Sequence, residues 1–93
     1  MLTIKADVYF FSEAEDGLNK NGVSDMQPSF SVADDLIMCK VIAEEGVDEF
    51  VLGKNYSVTI ELPYGDMFSN DIQTGYKFSL HFGGKEFARG VVS

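Results

Sequence analysis

The stretch that decides the fold is residues 2–10, LTIKADVYF, near the start of the chain. Its apolar side chains occupy every second position: Leu2, Ile4, Ala6, Val8 and Phe10. Successive side chains of a β-strand point to opposite faces, so this alternation places the apolar set on one face. The stretch therefore predicts a strand with one face toward a core.

The same period of two returns later in the chain. Apolar and polar residues alternate in 56–62 and 76–82, and in the shorter piece 29–33. Gly83-Gly84 predicts a two-residue hairpin leading into a last strand, residues 85–92, because tight hairpin turns need positive φ angles. No segment keeps apolar residues at helical spacing. We expect an all-β domain of roughly six or seven short strands, a sandwich or small barrel, without a helix longer than about two turns.

The length of the chain, 93 residues, predicts a single domain over residues 1–93 with one modest core. The alternating segments supply the side chains that we expect in this core: Val8, Phe10, Phe30, Val58, Ile60, Phe78, Leu80 and Val91.

Location and assembly follow from what the sequence lacks. It has no apolar run long enough for a transmembrane helix and no signal peptide, and its single cysteine, Cys39, allows no internal disulfide. These features predict a cytoplasmic protein without a membrane partner. A closed barrel has no unpaired strand edge, so we expect a monomer or a weak dimer. An edge-to-edge dimer through residues 87–92 is the alternative if the barrel does not close there.

The charge balance limits the possible partners. Fifteen acidic residues against seven basic ones give a net charge of −8, and Arg89 is the only arginine. Proteins that bind nucleic acid neutralise phosphates with clustered lysines and arginines, so DNA or RNA binding is not expected. The acidic surface favours a basic protein partner, and the alternative is that the charge only keeps the protein soluble.

Residues that could support chemistry are isolated. His81 is the only histidine and has no ligand companions for a metal, while Cys39 lies in an apolar run typical of a buried thiol. The chain has no phosphate-binding loop, and its paired carboxylates have no acid–base partner. We therefore predict no metal, no cofactor, no bound nucleotide and no enzymatic activity.

Two sets of residues are candidates for contact with a partner protein. Tyr9 and Phe11 share the outer face of the first strand, where they could anchor an interface or pack under the loop of residues 13–27. The second set is acidic and includes Asp34, Asp35, Glu44 and Glu45. Four acidic groups in all interrupt the strands: Glu13-Glu15-Asp16, Asp34-Asp35, Glu44-Glu45 and Asp48-Glu49.

Several motifs occur in a characteristic order along the chain. They are Ala6-Asp7-Val8-Tyr9-Phe10-Phe11-Ser12, Gln27-Pro28-Ser29-Phe30, Leu52-Gly53-Lys54-Asn55, Gly75-Tyr76-Lys77-Phe78-Ser79-Leu80, Gly83-Gly84-Lys85 and Arg89-Gly90-Val91-Val92. In this order they resemble the C-terminal β-barrel domain, the third domain, of elongation factor Tu and related translational GTPases. The resemblance implies a single closed, six-stranded antiparallel barrel that contacts partner proteins.

The RNA-binding features of that family do not carry over. Gln27 stands where the family usually has an arginine, and Ala33-Asp34-Asp35 replaces an Arg-Thr-Thr-like stretch. The nucleotide-binding domain of the family has no counterpart in these residues. The sequence therefore favours a stand-alone barrel that acts as a non-catalytic protein-binding module, linked to translation by the resemblance. The alternative is an acidic immunity or antitoxin protein that neutralises a basic toxin.

We predict that the protein binds neither GTP nor transfer RNA at physiological salt. The phosphate-binding loop is absent, and a net charge of −8 repels RNA phosphates. Isothermal titration calorimetry with GTP should give no saturable heat, and a gel-shift assay with aminoacyl-tRNA at micromolar protein should show no complex. A shifted band or a saturable isotherm would contradict this prediction.

Overall fold

The computed structural model describes residues 1–15 and 17–93, in which nearly all regular structure is β-strand. The strands are β1 (Leu2–Phe10), β2 (Gly22–Val23), β3 (Ser29–Val32), β4 (Asp35–Met38), β5 (Lys40–Ala43), β6 (Glu49–Phe50), β7 (Asn55–Leu62), β8 (Lys77–Phe82) and β9 (Lys85–Val92). Two short 3₁₀ helices, η1 (Glu13–Glu15) and η2 (Gly65–Phe68), lie in the loops. The predicted all-β class is confirmed, and none of the described helices is long and apolar enough to cross a membrane.

Seven of the strands form one antiparallel sheet in the order β4-β3-β8-β9-β1-β7-β5. The long strand β1 lies inside this sheet and pairs with β7 from Leu2–Leu62 to Tyr9–Asn55, and with β9 on its other edge. Strands β2 and β6 form a separate small pair. The sheet curves as a half-barrel around one core, because the inward side chains of its strands are all apolar.

The expected core is confirmed except at Val91. Val8, Phe10, Phe30, Val58, Ile60, Phe78 and Leu80 are buried, whereas Val91 is 39% exposed and its neighbour Val92 is buried. The reason is a bulge between β8 and β9: Leu80 pairs with Ala88, but His81 pairs with Glu86. The extra residue, Phe87, reverses the alternation, so that positions 88, 90 and 92 face inward.

The prediction of a closed six-stranded barrel is wrong. The sheet has seven strands and is open between β4 and β5, which follow one another in the chain with Cys39 between them. Backbone hydrogen bonds from Cys39 N to Pro28 O (3.1 Å) and from Val41 N to Met26 O (2.9 Å) hold the two ends of the sheet near each other. They do not continue the ladder along the outer edge of β4.

The opening has a local cause at the end of β7. The last pair between β5 and β7 is Lys40–Glu61, and β7 ends at Leu62 before Pro63, which has no backbone N–H to donate. The chain then turns sharply over the start of β1 and the end of β7. A Cβ atom on Gly65 would lie 2.7 Å from the Leu62 Cβ and 2.9 Å from the Leu2 Cβ, so this close approach requires glycine.

The last strand is not an unpaired edge, which was the alternative to closure in the sequence analysis. β9 pairs with β8 along one side and with β1 along the other, from Ala6–Val92 to Phe10–Ala88. Residues 87–92 could therefore pair with a second copy of the chain only if the sheet unfolded. The unpaired edge lies instead at β4.

We expect the substitution Ile60→Ala to lower the free energy of unfolding by about 2–5 kcal/mol, the usual cost of a large-to-small change in a core. Ile60 is fully buried on β7. The control is Val91→Ala, which removes an outward side chain and should change stability by less than about 0.5 kcal/mol. Urea unfolding followed by circular dichroism measures both, and equal losses at the two positions would contradict the assigned register.

Candidate partner-binding surface

The β3–β4 hairpin carries two of the acidic residues selected from the sequence. Val32 pairs with Asp35 across a two-residue turn formed by Ala33 and Asp34, whose φ angles are +49° and +66°. Such a turn needs positive φ at both central residues, and aspartate adopts this conformation more readily than most side chains do. The turn therefore projects Asp34 and Asp35, both exposed, at the tip of the hairpin.

A groove of about 490 Å³, the hairpin groove, runs along the outer face from this tip. It is lined by residues 31–36, Tyr76, Ser79 and His81. The groove forms because the pairing of β3 with β8 stops at Phe30–Leu80, beyond which the two strands separate. Beyond this pair, hydrogen bonds that involve side chains replace those of the backbone ladder. The Tyr76 hydroxyl donates to Ser31 O (2.9 Å), and Ser79 N donates to Ser31 Oγ (2.8 Å).

A chain of polar side chains lies along the floor of the hairpin groove. Ser79 Oγ is 2.9 Å from Ser31 Oγ and 2.7 Å from His81 Nε2. The other ring nitrogen, His81 Nδ1, is buried and has no hydrogen-bond partner within the described residues. Serine and histidine at this distance resemble a nucleophile and its base, but a catalytic triad also needs a carboxylate on Nδ1. The arrangement is suited to hydrogen bonding and does not provide that orienting group.

Next to the hairpin groove, β4 presents apolar side chains to solvent. Leu36 is 49% exposed and Met38 is 50% exposed, and both lie on the outer face. In the described part of the chain, no strand pairs with the edge of β4 opposite β3. The hairpin thus combines two carboxylates, two apolar side chains and an unpaired strand edge.

Tyr9 and Phe11 lie on another part of the outer face, beside β9. Their ring centroids are 6.1 Å apart, and the Arg89 guanidinium carbon lies 5.3 Å from the Phe11 centroid, in cation–π contact. The Tyr9 hydroxyl donates to the Glu15 carboxylate of η1, and this bond raises the pKa of Tyr9 and lowers that of Glu15. The pair is therefore partly covered by its own loop, and a role in binding stays a prediction.

Glu44 and Glu45 do not lie near Asp34 and Asp35. The hairpin tip precedes β4, whereas the two glutamates follow β5, so they lie at the opposite end of the sheet. The order of the strands brings Glu44 and Glu45 to the same end as Glu13, Glu15, Asp48 and Glu49, because β5 ends beside the start of β7 and β1 ends there too. Asp16 lies outside the described residues.

Comparison with known families gives no assignment, since no family model matches the chain. Within residues 1–15 and 17–93, no three His, Cys, Asp or Glu side chains are grouped so that they could hold a metal ion.

The hairpin groove was not predicted from the sequence. His81 was expected to be isolated, although Ser79 and His81 are two positions apart and therefore share one face of β8. That spacing was a usable signal for the serine–histidine contact. Ser31 could not be added, because its position opposite β8 depends on strand pairing over a distance of 48 residues.

Cys39 lies at the break between β4 and β5 and is fully buried, as a structural thiol would be. Its Sγ lies 3.4 Å from Pro28 O. Burial raises the pKa of the Cys39 thiol from 9.0 to about 12. The thiolate, which is the reactive form, is therefore suppressed in the folded protein at neutral pH.

We predict that Cys39 reacts with a disulfide reagent at pH 8 only after unfolding, and that it makes stability depend on alkaline pH. Between 9.0 and about 12 the folded state keeps the thiol proton and the unfolded chain loses it. The contribution of the Cys39 thiol to the free energy of unfolding is thus fully present below pH 9.0 and is lost as the pH rises toward about 12. Urea midpoints of the wild type and Cys39→Ala, compared at neutral and alkaline pH, isolate the effect. A difference between the two proteins that does not vary with pH would contradict it.

Proposed function

We propose that the protein is a non-catalytic module that binds another protein through the outer face of the β3–β4 hairpin. One observation carries the proposal: the half-exposed Leu36 and Met38 lie directly beside the exposed Asp34 and Asp35. Protein interfaces typically combine an apolar centre with a charged rim. An apolar strand edge that stays exposed in a small protein favours a binding role over a purely structural one.

The charge of the protein supports a basic partner. A net charge of −8 produces a negative potential that attracts a positively charged surface and accelerates encounter. The carboxylates of Asp34 and Asp35 then provide local contacts for lysine or arginine. The same charge disfavours nucleic acid.

The proposal includes a relationship to translation. The order of the motifs resembles the C-terminal domain of elongation factor Tu, and an antiparallel sheet with a Gly83-Gly84 hairpin is compatible with that relationship. A module of this type would act in the cytoplasm, as a monomer or weak dimer, without nucleotide or other cofactor. Its single, buried cysteine is consistent with a reducing compartment.

A second candidate function is an acidic immunity or antitoxin protein that neutralises a basic toxin. The gathering of Glu44 and Glu45 with the other acidic groups at the end opposite the hairpin favours it. In that case the contact would be largely electrostatic and would lie away from Leu36 and Met38.

Two matched double variants distinguish these functions. Asp34→Asn with Asp35→Asn, and Glu44→Gln with Glu45→Gln, each remove two exposed carboxylates, and asparagine also tolerates the positive φ of position 34. The partner is first captured from an extract of the producing cell, treated with nuclease to remove nucleic acid. We expect the hairpin variant to slow association and to flatten its salt dependence, while the glutamate variant retains most of the wild-type rate.

The reverse order of effects would support the immunity function. Equal rates for both variants and the wild type, within the scatter of neutral surface changes of about 0.5 kcal/mol, would contradict both functions. The acids would then serve solubility alone. Circular dichroism of each variant provides the control for folding.

A further inference from the structure

The direction of the backbone groups along β4 follows from the hairpin turn. In a two-residue hairpin the residues that flank the turn, here Val32 and Asp35, exchange both backbone hydrogen bonds. Pairs alternate between bonded and non-bonded along an antiparallel ladder. Ile37, opposite Phe30, therefore also bonds to β3, whereas the N–H and C=O groups of Leu36 and Met38 point away from it.

Contacts further along the chain agree with this alternation. Cys39 N and Val41 N donate to residues 28 and 26 on the β3 side, while Lys40 pairs with Glu61 of β7 on the other side. Leu36 and Met38 therefore direct their backbone groups toward the line that β7 follows. Because β7 ends at Leu62, no strand within the described residues pairs with them there.

The unpaired edge has the properties of a site for an added strand. It offers backbone donors and acceptors at alternate residues, and the side chains of the same residues are half exposed. Natural proteins often protect such an edge with lysine, proline or a bulge, none of which β4 contains, and its protection is limited to its short length and the charge of Asp35. An extended peptide binds such an edge through backbone hydrogen bonds, and its side chains determine specificity.

The charge of the protein indicates which kind of segment would bind the unpaired edge of β4. A second copy of this chain would bring together two molecules that each carry a net charge of −8. A segment with lysine or arginine would instead meet Asp34 and Asp35 at the hairpin tip. β7 runs antiparallel to β5, so a strand that continues its line runs antiparallel to β4 and reaches the tip with its C-terminal end.

We propose that β4 binds an extended segment of a partner protein as an added antiparallel strand, with apolar residues against Leu36 and Met38 followed by lysine or arginine against Asp34 and Asp35. The inference rests on the proposed function and specifies its mode of binding and the chemistry of the partner. The added strand occupies the line that β7 would follow if it continued beyond Leu62.

The test uses phage-displayed random peptides about twelve residues long, enough for one strand of ordinary length. They are selected on the immobilised full-length protein, and enriched peptides are synthesised with a fluorescent label. We expect enriched sequences to place alternating apolar residues before lysine or arginine. Fluorescence anisotropy then measures the affinity of one such peptide for the wild type and for two variants at position 36.

The two variants differ in the backbone group that strand addition needs. Leu36→Pro removes an N–H that faces no partner strand among the described residues, and it should weaken binding roughly tenfold or more. Leu36→Val keeps the N–H and an apolar side chain, and it should bind within about threefold of the wild type. In the wild type, peptide binding should also slow hydrogen exchange of the Leu36 and Met38 amides, a measurement that stands even if the proline variant fails to fold.

Three outcomes would overturn the inference: no enriched peptide, equal binding by Leu36→Pro and the wild type, or amides at 36 and 38 that exchange as fast with peptide as without. These outcomes leave the proposed function intact if the captured partner still depends on Asp34 and Asp35. Loss of that dependence would instead reject the hairpin face as the binding surface.

Discussion

β7 cannot continue beyond Leu62, and the openness of the sheet depends on this limit. Pro63 has no N–H to extend a ladder, and Gly65 lets the chain turn closely over Leu62 and Leu2. Residues 35–43 run alongside β7 only from Lys40 onward. The earlier half, β4, is therefore left with one partner strand, and a chain whose alternating pattern would suit a closed barrel forms an open half-barrel.

The end of β7 at Leu62 also brings the features of the candidate surface together. β4 is held by β3 alone, and β3 in turn separates from β8 after Phe30, so the hairpin extends from the body of the sheet with a groove beneath it. Ser31, Tyr76 and Ser79 satisfy the backbone and hydroxyl groups exposed by this separation. An ordered, polar groove and an unpaired apolar edge thus lie on one hairpin, with two carboxylates at its tip.

Local alternation in the sequence was sufficient for β1, β7 and β8 and for most of the core, because one buried face imposes a period of two. It failed at Val91, because the bulge at Phe87 depends on how β9 fits against β8. It also did not show that Lys40–Ala43 pairs with β7 whereas Asp35–Met38, directly before it in the chain, does not. Which strands pair with one another depends on the whole sheet. Neither the unpaired edge nor the groove could therefore be predicted from residues that are neighbours in the sequence.

The positions of the acidic residues also could be predicted only in part from the sequence. Their positions in loops were evident from the sequence, but their division between two ends of the molecule follows from strand order. Asp34 and Asp35 lie beside apolar side chains, whereas Glu44 and Glu45 lie among other acids. Identical charges therefore have different surroundings, and the hairpin pair lies next to the exposed side chains of Leu36 and Met38.

Residue-resolved hydrogen exchange of the protein without a bound partner tests the unpaired edge of β4 most directly. Amides that bond within a sheet are protected, and amides that face solvent exchange rapidly. The account predicts fast exchange at Leu36 and Met38 and slow exchange at Ile37 and Cys39, which donate toward β3 and Pro28. Slow exchange at all four positions would contradict it, because β4 would then be paired on both edges and the barrel would be closed.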